Sequence, residues 1–244
     1  MGSVFPDVAS AALPALTPVE LRRLERRMVR DYGIHPAQIL EAVGRNLADL
    51  ATAWLGGCAA GRSVLVLAGG RRGGGGLAAA RHLANRGAEV QVVIAQPAES
   101  FTGLSARQLR VLWRMGVSIT EAEPGWDLPG ADLVLDALVG YGPRRTPSGA
   151  AGALLRLAQA HPAPVLALEI PSGVDGKTGA VGEPYLRAAA TLALALPTTG
   201  LMRAPAAVVG ERYLADIGVP AVLYESLNLA VPPMFAQSAV VRFV

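Results

Sequence analysis

Three segments concentrate the residues with which this chain could do chemistry: Gly69-Gly70-Arg71-Arg72-Gly73-Gly74-Gly75-Gly76, Asp136-Ala137-Leu138-Val139-Gly140-Tyr141-Gly142-Pro143 and Glu169-Ile170-Pro171-Ser172-Gly173-Val174-Asp175-Gly176. The first lies between an apolar run, 63–68, and a helix-like stretch, 77–84. Glycine tolerates positive φ and close backbone approach, and a helix N-terminus presents unpaired N–H groups and a positive dipole end to an anion. Arg71 and Arg72 add forked donors suited to phosphate. A phosphate-bearing ligand is therefore expected at this turn.

The common nucleotide templates do not fit. No G-x-G-x-x-G falls on the turn, and the following apolar run ends in Ala95-Gln96-Pro97, where a Rossmann dehydrogenase would place an acidic residue for a ribose hydroxyl. Gly176-Lys177-Thr178 lacks the glycine spacing, leading strand and following helix of a phosphate loop. Ser172 has no G-x-S-x-G elbow around it, and His35, His82 and His161 sit in helix-start, helix and pre-proline contexts that suit surface or packing roles.

These segments need a scaffold to bring them together. Short apolar runs at 63–68, 89–95, 132–139 and 164–170 alternate with helical patterns near 77–86, 104–115 and 149–161, and the runs have no polar face. Such strands belong in a parallel sheet covered on both sides. The expected class is α/β, a three-layer αβα sandwich with a Rossmann-like, mostly parallel sheet. Thr17-Pro18-Val19-Glu20 reads as a capping box opening a helix to about residue 30, and a second helix is expected over about 36–55. Both should pack against the sheet. Apolar segments 188–196 and 206–215 should extend it. Ligands of this architecture bind beyond the carboxyl ends of the strands, where all three segments lie.

The chain has 244 residues, 52% of them apolar, enough for one substantial domain, read here as 1–220 with a C-terminal arm over 221–244 that contains Pro232-Pro233. Lys177 is the only lysine among 22 basic residues, which are scattered rather than blocked, so a nucleic-acid surface is not indicated. No apolar run reaches the roughly 20 residues of a membrane span. The single cysteine, Cys58, forms no intrachain disulfide and is expected as a small buried residue, and a cytoplasmic location follows.

The ordered set of a glycine loop followed by Ala-Ala-Arg-His-Leu-Ala-Asn-Arg-Gly (79–87), Asp-Ala-Leu-x-Gly-x-Gly (136–142) and Ile-Pro-Ser-Gly-x-Asp (170–175) resembles the YjeF N-terminal domain family, the NAD(P)H-hydrate epimerases. The resemblance runs from about residue 16 to 220. Glu41 falls in a segment similar to the family's Met-Glu-Asn-Ala-Gly. It implies a Rossmann-like, often dimeric protein acting on NAD(P)HX, nicotinamide cofactors hydrated at ring carbon 6, as substrate, with a bound potassium ion. The implied reaction is loss and return of water at carbon 6, which interconverts the two epimers and needs an acid and a base.

The resemblance assigns the acid–base carboxylate to Glu169, one methylene longer than the family's aspartate. It implies Asp136 and Ser172 as potassium ligands. Arg71-Arg72 stand where the family has two asparagines, Gly75 replaces its loop aspartate, and Thr198 falls where a lysine is expected. A guanidinium has no acceptor, so Arg72 cannot ligate a cation. Asp136 is then either a cation ligand or the partner of Arg72, and Ser172 either orients a ligand or caps local backbone. Substrate contacts are expected from Arg71, Arg72, Gly73, Gly74 and Gly75, and from Gly140, Tyr141, Gly142, Arg144, Arg145 and Thr146, with Tyr141 placed to stack on a ring. Two further readings stay open: a non-catalytic nucleotide-binding or scaffold protein of the same fold, and an enzyme acting on another phosphorylated metabolite. The expected assembly is a homodimer.

Overall fold

The structure, a computed structural model, describes residues 4–70, 73–123, 126–140 and 147–244. In chain order the elements are β1 (Asp7–Val8), α1 (Pro18–Tyr32), α2 (Pro36–Trp54), β2 (Ser63–Ala68), α3 (Gly74–Asn85), β3 (Glu89–Ile94), α4 (Gly103–Arg114), β4 (Ser118–Glu121) and β5 (Leu133–Ala137). There follow α5 (Gly149–Gln159), β6 (Val165–Leu168), β7 (Ala190–Leu194), α6 (Thr199–Arg203), α7 (Ala206–Val209), β8 (Glu211–Ala215), α8 (Ala221–Glu225) and β9 (Val240–Phe243). The strands form one sheet in the order β1-β9-β8-β7-β6-β5-β2-β3-β4, parallel at every pairing except β8 with β9.

The sequence of β2 shows why the sheet is covered on both faces. Val64, Val66 and Ala68 pack into a core shared with the first four helices, whereas Leu65 and Leu67, on the opposite face, pack with Leu154 and Leu155 of α5. Successive strand residues point to opposite sides, so an unbroken apolar run requires a layer on each. From β2 the chain steps through α3 and α4 towards β4, and from β5 it steps through α5 the other way to β6. Right-handed crossovers in opposite directions put their helices on opposite faces. The expected three-layer αβα sandwich is the observed one.

The Thr17 box forms, with Glu20 N donating to Thr17 Oγ1 at 3.3 Å and Thr17 N to Glu20 Oε2 at 2.7 Å. Leu21, Leu24 and Met28 make the buried stripe of α1. Helices α2 and α3 lie so close that a Cβ on Gly44 would overlap Ala78.

Three expectations are corrected. Segment 206–215 is not one strand, because Pro205 opens the short helix α7 and Gly210, at φ 64°, turns the chain into β8. Residues 221–244 do not extend away as an arm: α8 buries Leu223 and Tyr224, and β9 inserts between β8 and β1 with Val240, Val241 and Phe243 in the core. Cys58 is exposed. Among the described residues no helix is long and apolar enough to cross a membrane.

Candidate functional site

The crossovers leave β2 and β5 in opposite directions along the sheet, and the crevice beyond the carboxyl ends of these two strands is the usual ligand position in such sheets. The loops after β2, β5 and β6 are tied together there. Gly69 N donates to Ala137 O at 3.1 Å, and any Cβ at Gly69 would strike the Leu138 carbonyl. Farther along, both backbone groups of Leu16 bond the turn after β7 and hold the entry to α1 against it (Leu16 N to Pro197 O, 3.0 Å; Thr199 N to Leu16 O, 2.9 Å).

Asp136, at the end of β5, is fully enclosed. Its carboxylate accepts from Ser172 Oγ at 2.7 Å, Ser172 N at 2.7 Å and Leu138 N at 3.2 Å, and Ser172 Oγ in turn accepts from Val139 N at 3.2 Å. Ser172 is equally buried. Burial raises the Asp136 carboxyl above the usual aspartate range, against the Ser172 and Leu138 bonds that favour its charged form. Sequence and geometry thus bring Asp136 and Ser172 together, and they lace two loops of the crevice.

Glu169 follows β6 directly, with φ at 69°. Ile170 N bonds back to Leu168 O at 2.9 Å, which makes Leu168–Glu169–Ile170 a γ-turn with a left-handed centre, while Glu169 N still pairs with Leu192 O of β7. The adjacent strand ends in the same way: Ala195 has φ 60°, and Leu196 N bonds to Leu194 O at 2.6 Å. Non-glycine residues in such conformations carry strain of about 1–3 kcal/mol, which is found at functional sites. Sequence reading missed the twin turn, since neither Glu169 nor Ala195 is a residue type that signals positive φ.

The half-buried Glu169 lies at the floor of a cleft of about 1240 Å³. Leu168 and Leu194 share the floor, Val43 and Gly75 line one side, and the first turn of α4 another. The remaining wall is α1, which contributes Arg22, Arg23, Arg26, Arg27 and Arg30. Sequence reading counted these arginines only among the scattered basic residues, although Arg22 and Arg26, spaced i and i+4, share a flank beside the Leu21–Met28 stripe.

The glycine run has a packing cause as well as its position beside the cleft. Gly73 is right-handed at φ −65°, and Gly74, Gly75 and Gly76 are buried in the first turn of α3. A Cβ at Gly74 would come 2.9 Å from Ser105 Oγ, and one at Gly75 would come 2.7 Å from Val43 Cγ1 and 2.8 Å from Leu168 Cδ2. At Gly76 it would run into Ala137. Gly75 alone of the expected glycines 73–75 lines the cleft. Gly140, at φ 61°, closes the described part of the second loop. Arg71, Arg72, Tyr141, Gly142, Arg144, Arg145 and Thr146 lie outside the described residues.

Other singled-out residues have local roles. Thr198 Oγ1 accepts from Leu201 N at 3.0 Å as the buried N-cap of α6. Lys177 is exposed in a turn held by Asp175. His82 and Arg81 of α3 bind Glu41 of α2 at 2.9 and 2.5 Å, and burial followed by the Arg81 charge pushes the His82 imidazole below its usual value. No group of three or more His, Cys, Asp or Glu suited to a metal occurs among the described residues.

A family model described as YjeF-related protein N-terminus matches residues 36–200. Over 231 residues the chain is 38% identical to a protein of Dehalogenimonas lykanthroporepellens named NAD(P)H-hydrate epimerase, covering 94% of this chain and 92% of that one. A protein of the same name from Rhodopirellula baltica is 32% identical, with 89% of each chain covered. The bifunctional NAD(P)H-hydrate repair enzyme Nnr of Moorella thermoacetica is 32% identical over 84% of this chain, which spans 40% of that longer protein. The crystal structure of yeast ynu0 superposes with a TM-score of 0.78 at 19% identity over 94% of this chain, a likeness of fold.

Proposed function

The chain belongs to the YjeF-related protein N-terminus family, and on that premise we propose that it is an NAD(P)H-hydrate epimerase, an isomerase whose substrate is a nicotinamide cofactor hydrated at carbon 6. The observation that carries this reading is Glu169, a carboxylate held in a strained left-handed turn on the floor of a large cleft at the carboxyl edge of the sheet. Strain retained at a carboxylate inside a ligand-sized cleft is intelligible when the group must meet a reacting atom.

The chemistry balances with this residue. The ring-nitrogen lone pair forms the N1=C6 bond as the C6–O bond breaks, its electron pair leaving with oxygen. Glu169 in its acid form supplies the proton that releases the hydroxyl as water. A water molecule then adds to the opposite face of carbon 6, the π pair returns to nitrogen, and the water proton is lost to a base. Thr198, where the family's lysine would fall, has its oxygen engaged in capping α6. Solvent is therefore read as the proton acceptor on the return face.

Asp136 and Ser172 belong to this proposal as a tie between the loops after β5 and β6. The bonds to Ser172 Oγ, Ser172 N and Leu138 N engage both carboxylate oxygens, and Ser172 Oγ also accepts from Val139 N. These bonds fill three of the roughly four acceptor sites of the carboxylate, and no step is assigned to a potassium ion. Substrate contact by Gly75 and by the second loop, a homodimer and a cytoplasmic location are carried from the resemblance as parts of the same proposal. The test supplies one pure carbon-6 epimer of hydrated NADH and follows the other by chromatography. Enzyme-dependent approach to the equilibrium mixture is expected, and a rate equal to the enzyme-free control overturns the reading.

A further inference from the structure

Five arginines of α1 line the cleft that holds Glu169, against two carboxylates, Glu25 and Glu169 itself. Arg27 and Arg30 are already engaged, each binding Asp31 through Nε at 2.7 Å. Arg22 differs. It is half-buried, and its Nη1 is shielded from solvent with no hydrogen-bond partner in the structure. A guanidinium does not deprotonate, so with Nη1 sealed and unpartnered its charge is under-satisfied within the protein, and the edge of the group that lines the cleft is left to take an acceptor. In a cationic cleft that acceptor is an anionic oxygen. Arg26, one helical turn further on and exposed, extends the same flank. Helix α1 also precedes residues 36–200, so these arginines lie outside the stretch that the family model matches.

We propose that Arg22, with Arg26 beside it, is the phosphate-reading residue of the cleft. It takes a phosphoryl oxygen of the dinucleotide, from the diphosphate bridge or from a 2′-phosphate. The guanidinium edge that lines the cleft offers forked donors that match such an oxygen pair. The identity of the ligand rests on the epimerase reading, while the anion site itself does not.

Calorimetric titration of the whole protein with inorganic pyrophosphate and, separately, with adenosine 2′-monophosphate tests the site without catalysis. For Arg22→Gln, affinity for one of the two probes is expected to fall about 10- to 100-fold, the range for one charge-assisted hydrogen bond, with a smaller fall for Arg26→Gln. Arg114→Gln, on α4 outside the cleft, should match the parent, and urea unfolding of each variant checks that it folds. Loss confined to pyrophosphate assigns the diphosphate, and loss confined to the nucleotide assigns the 2′-phosphate. In turnover, the first case raises KM for hydrated NADH and NADPH alike and the second for hydrated NADPH alone.

Absence of binding by the parent protein overturns the proposal, and so does unchanged affinity for both probes in both variants. If the parent epimerises substrate and Arg22→Gln binds normally, this inference fails and the epimerase reading stands. If the parent does not epimerise but loses anion affinity through Arg22, the reverse holds.

Discussion

Replacing Ser172 with alanine tests whether the Asp136–Ser172 pair is a structural tie. The hydroxyl makes two bonds inside the protein, donating to Asp136 Oδ1 at 2.7 Å and accepting from Val139 N at 3.2 Å. Loss of the first, a short bond inside the protein, removes about 1–3 kcal/mol. The second leaves a half-buried N–H that water can partly reach, adding about 1 kcal/mol at most. Ser172→Ala should therefore lose about 1–4 kcal/mol in urea unfolding at pH 7, a large fraction of the stability of a domain this size. The backbone bond from Ser172 N to Asp136 Oδ2 at 2.7 Å survives, so the two loops stay near each other and folding persists. A double-mutant cycle with Asp136→Asn should return a coupling of about 1–2 kcal/mol. Potassium and sodium buffers should give the same values. A loss below about 0.5 kcal/mol, or one that appears only in potassium, would refute the tie.

Three further outcomes follow from the same geometry. Glu169→Gly should stabilise the fold by about 0.5–1.5 kcal/mol in urea, because glycine accepts φ 69° without strain, while removing activity; a destabilised but active variant contradicts the reading. Gly75→Ala should cost about 1–3 kcal/mol and lower turnover, since its Cβ would press on Val43 and on Leu168, the residue before Glu169; unchanged melting and kinetics would show that α3 yields freely. Because burial raises the Asp136 carboxyl in the folded state, its contribution to stability is fully present below the ordinary aspartate value of about 3.9 and declines as pH rises through the higher folded value. The stability of the parent relative to Asp136→Leu should fall over that window, and a rise would invert the assigned shift.

The mostly parallel sheet was legible because β2, β3, β5 and β6 are short, largely apolar runs separated by helical patterns, a local signal that survives into the fold. The Thr17 box was legible for the same reason, as partners three residues apart carry it. What escaped depended on distant partners. Residues 240–243 become a strand only through pairing with β8 and β1, and β4 is a short, largely exposed edge strand with little apolar pattern. At the site, Glu169 and Asp136 were named from their motifs, but the left-handed turn at Glu169, whose N–H pairs with β7, leaves no residue-type signature. The glycines at 73–75 were read as ligand-facing, whereas Gly74 is required by the packing of α3 against α4, as the neighbouring Gly76 is by its packing against β5. The arginines of α1 were visible as letters, and only the packing of that helix reveals that they wall the cleft.

The central claim is that Glu169 drives loss and return of water at carbon 6. The most direct measurement runs the reaction in heavy-oxygen water and follows, by mass spectrometry, label entering the substrate alongside inversion of the carbon-6 centre, for the parent protein and Glu169→Gln. The account predicts that each inversion in the parent carries solvent oxygen into the product, and that Glu169→Gln slows label entry and inversion together by about 10²–10⁴-fold. Inversion without label, or a Glu169→Gln variant that exchanges oxygen at the parental rate, would contradict it.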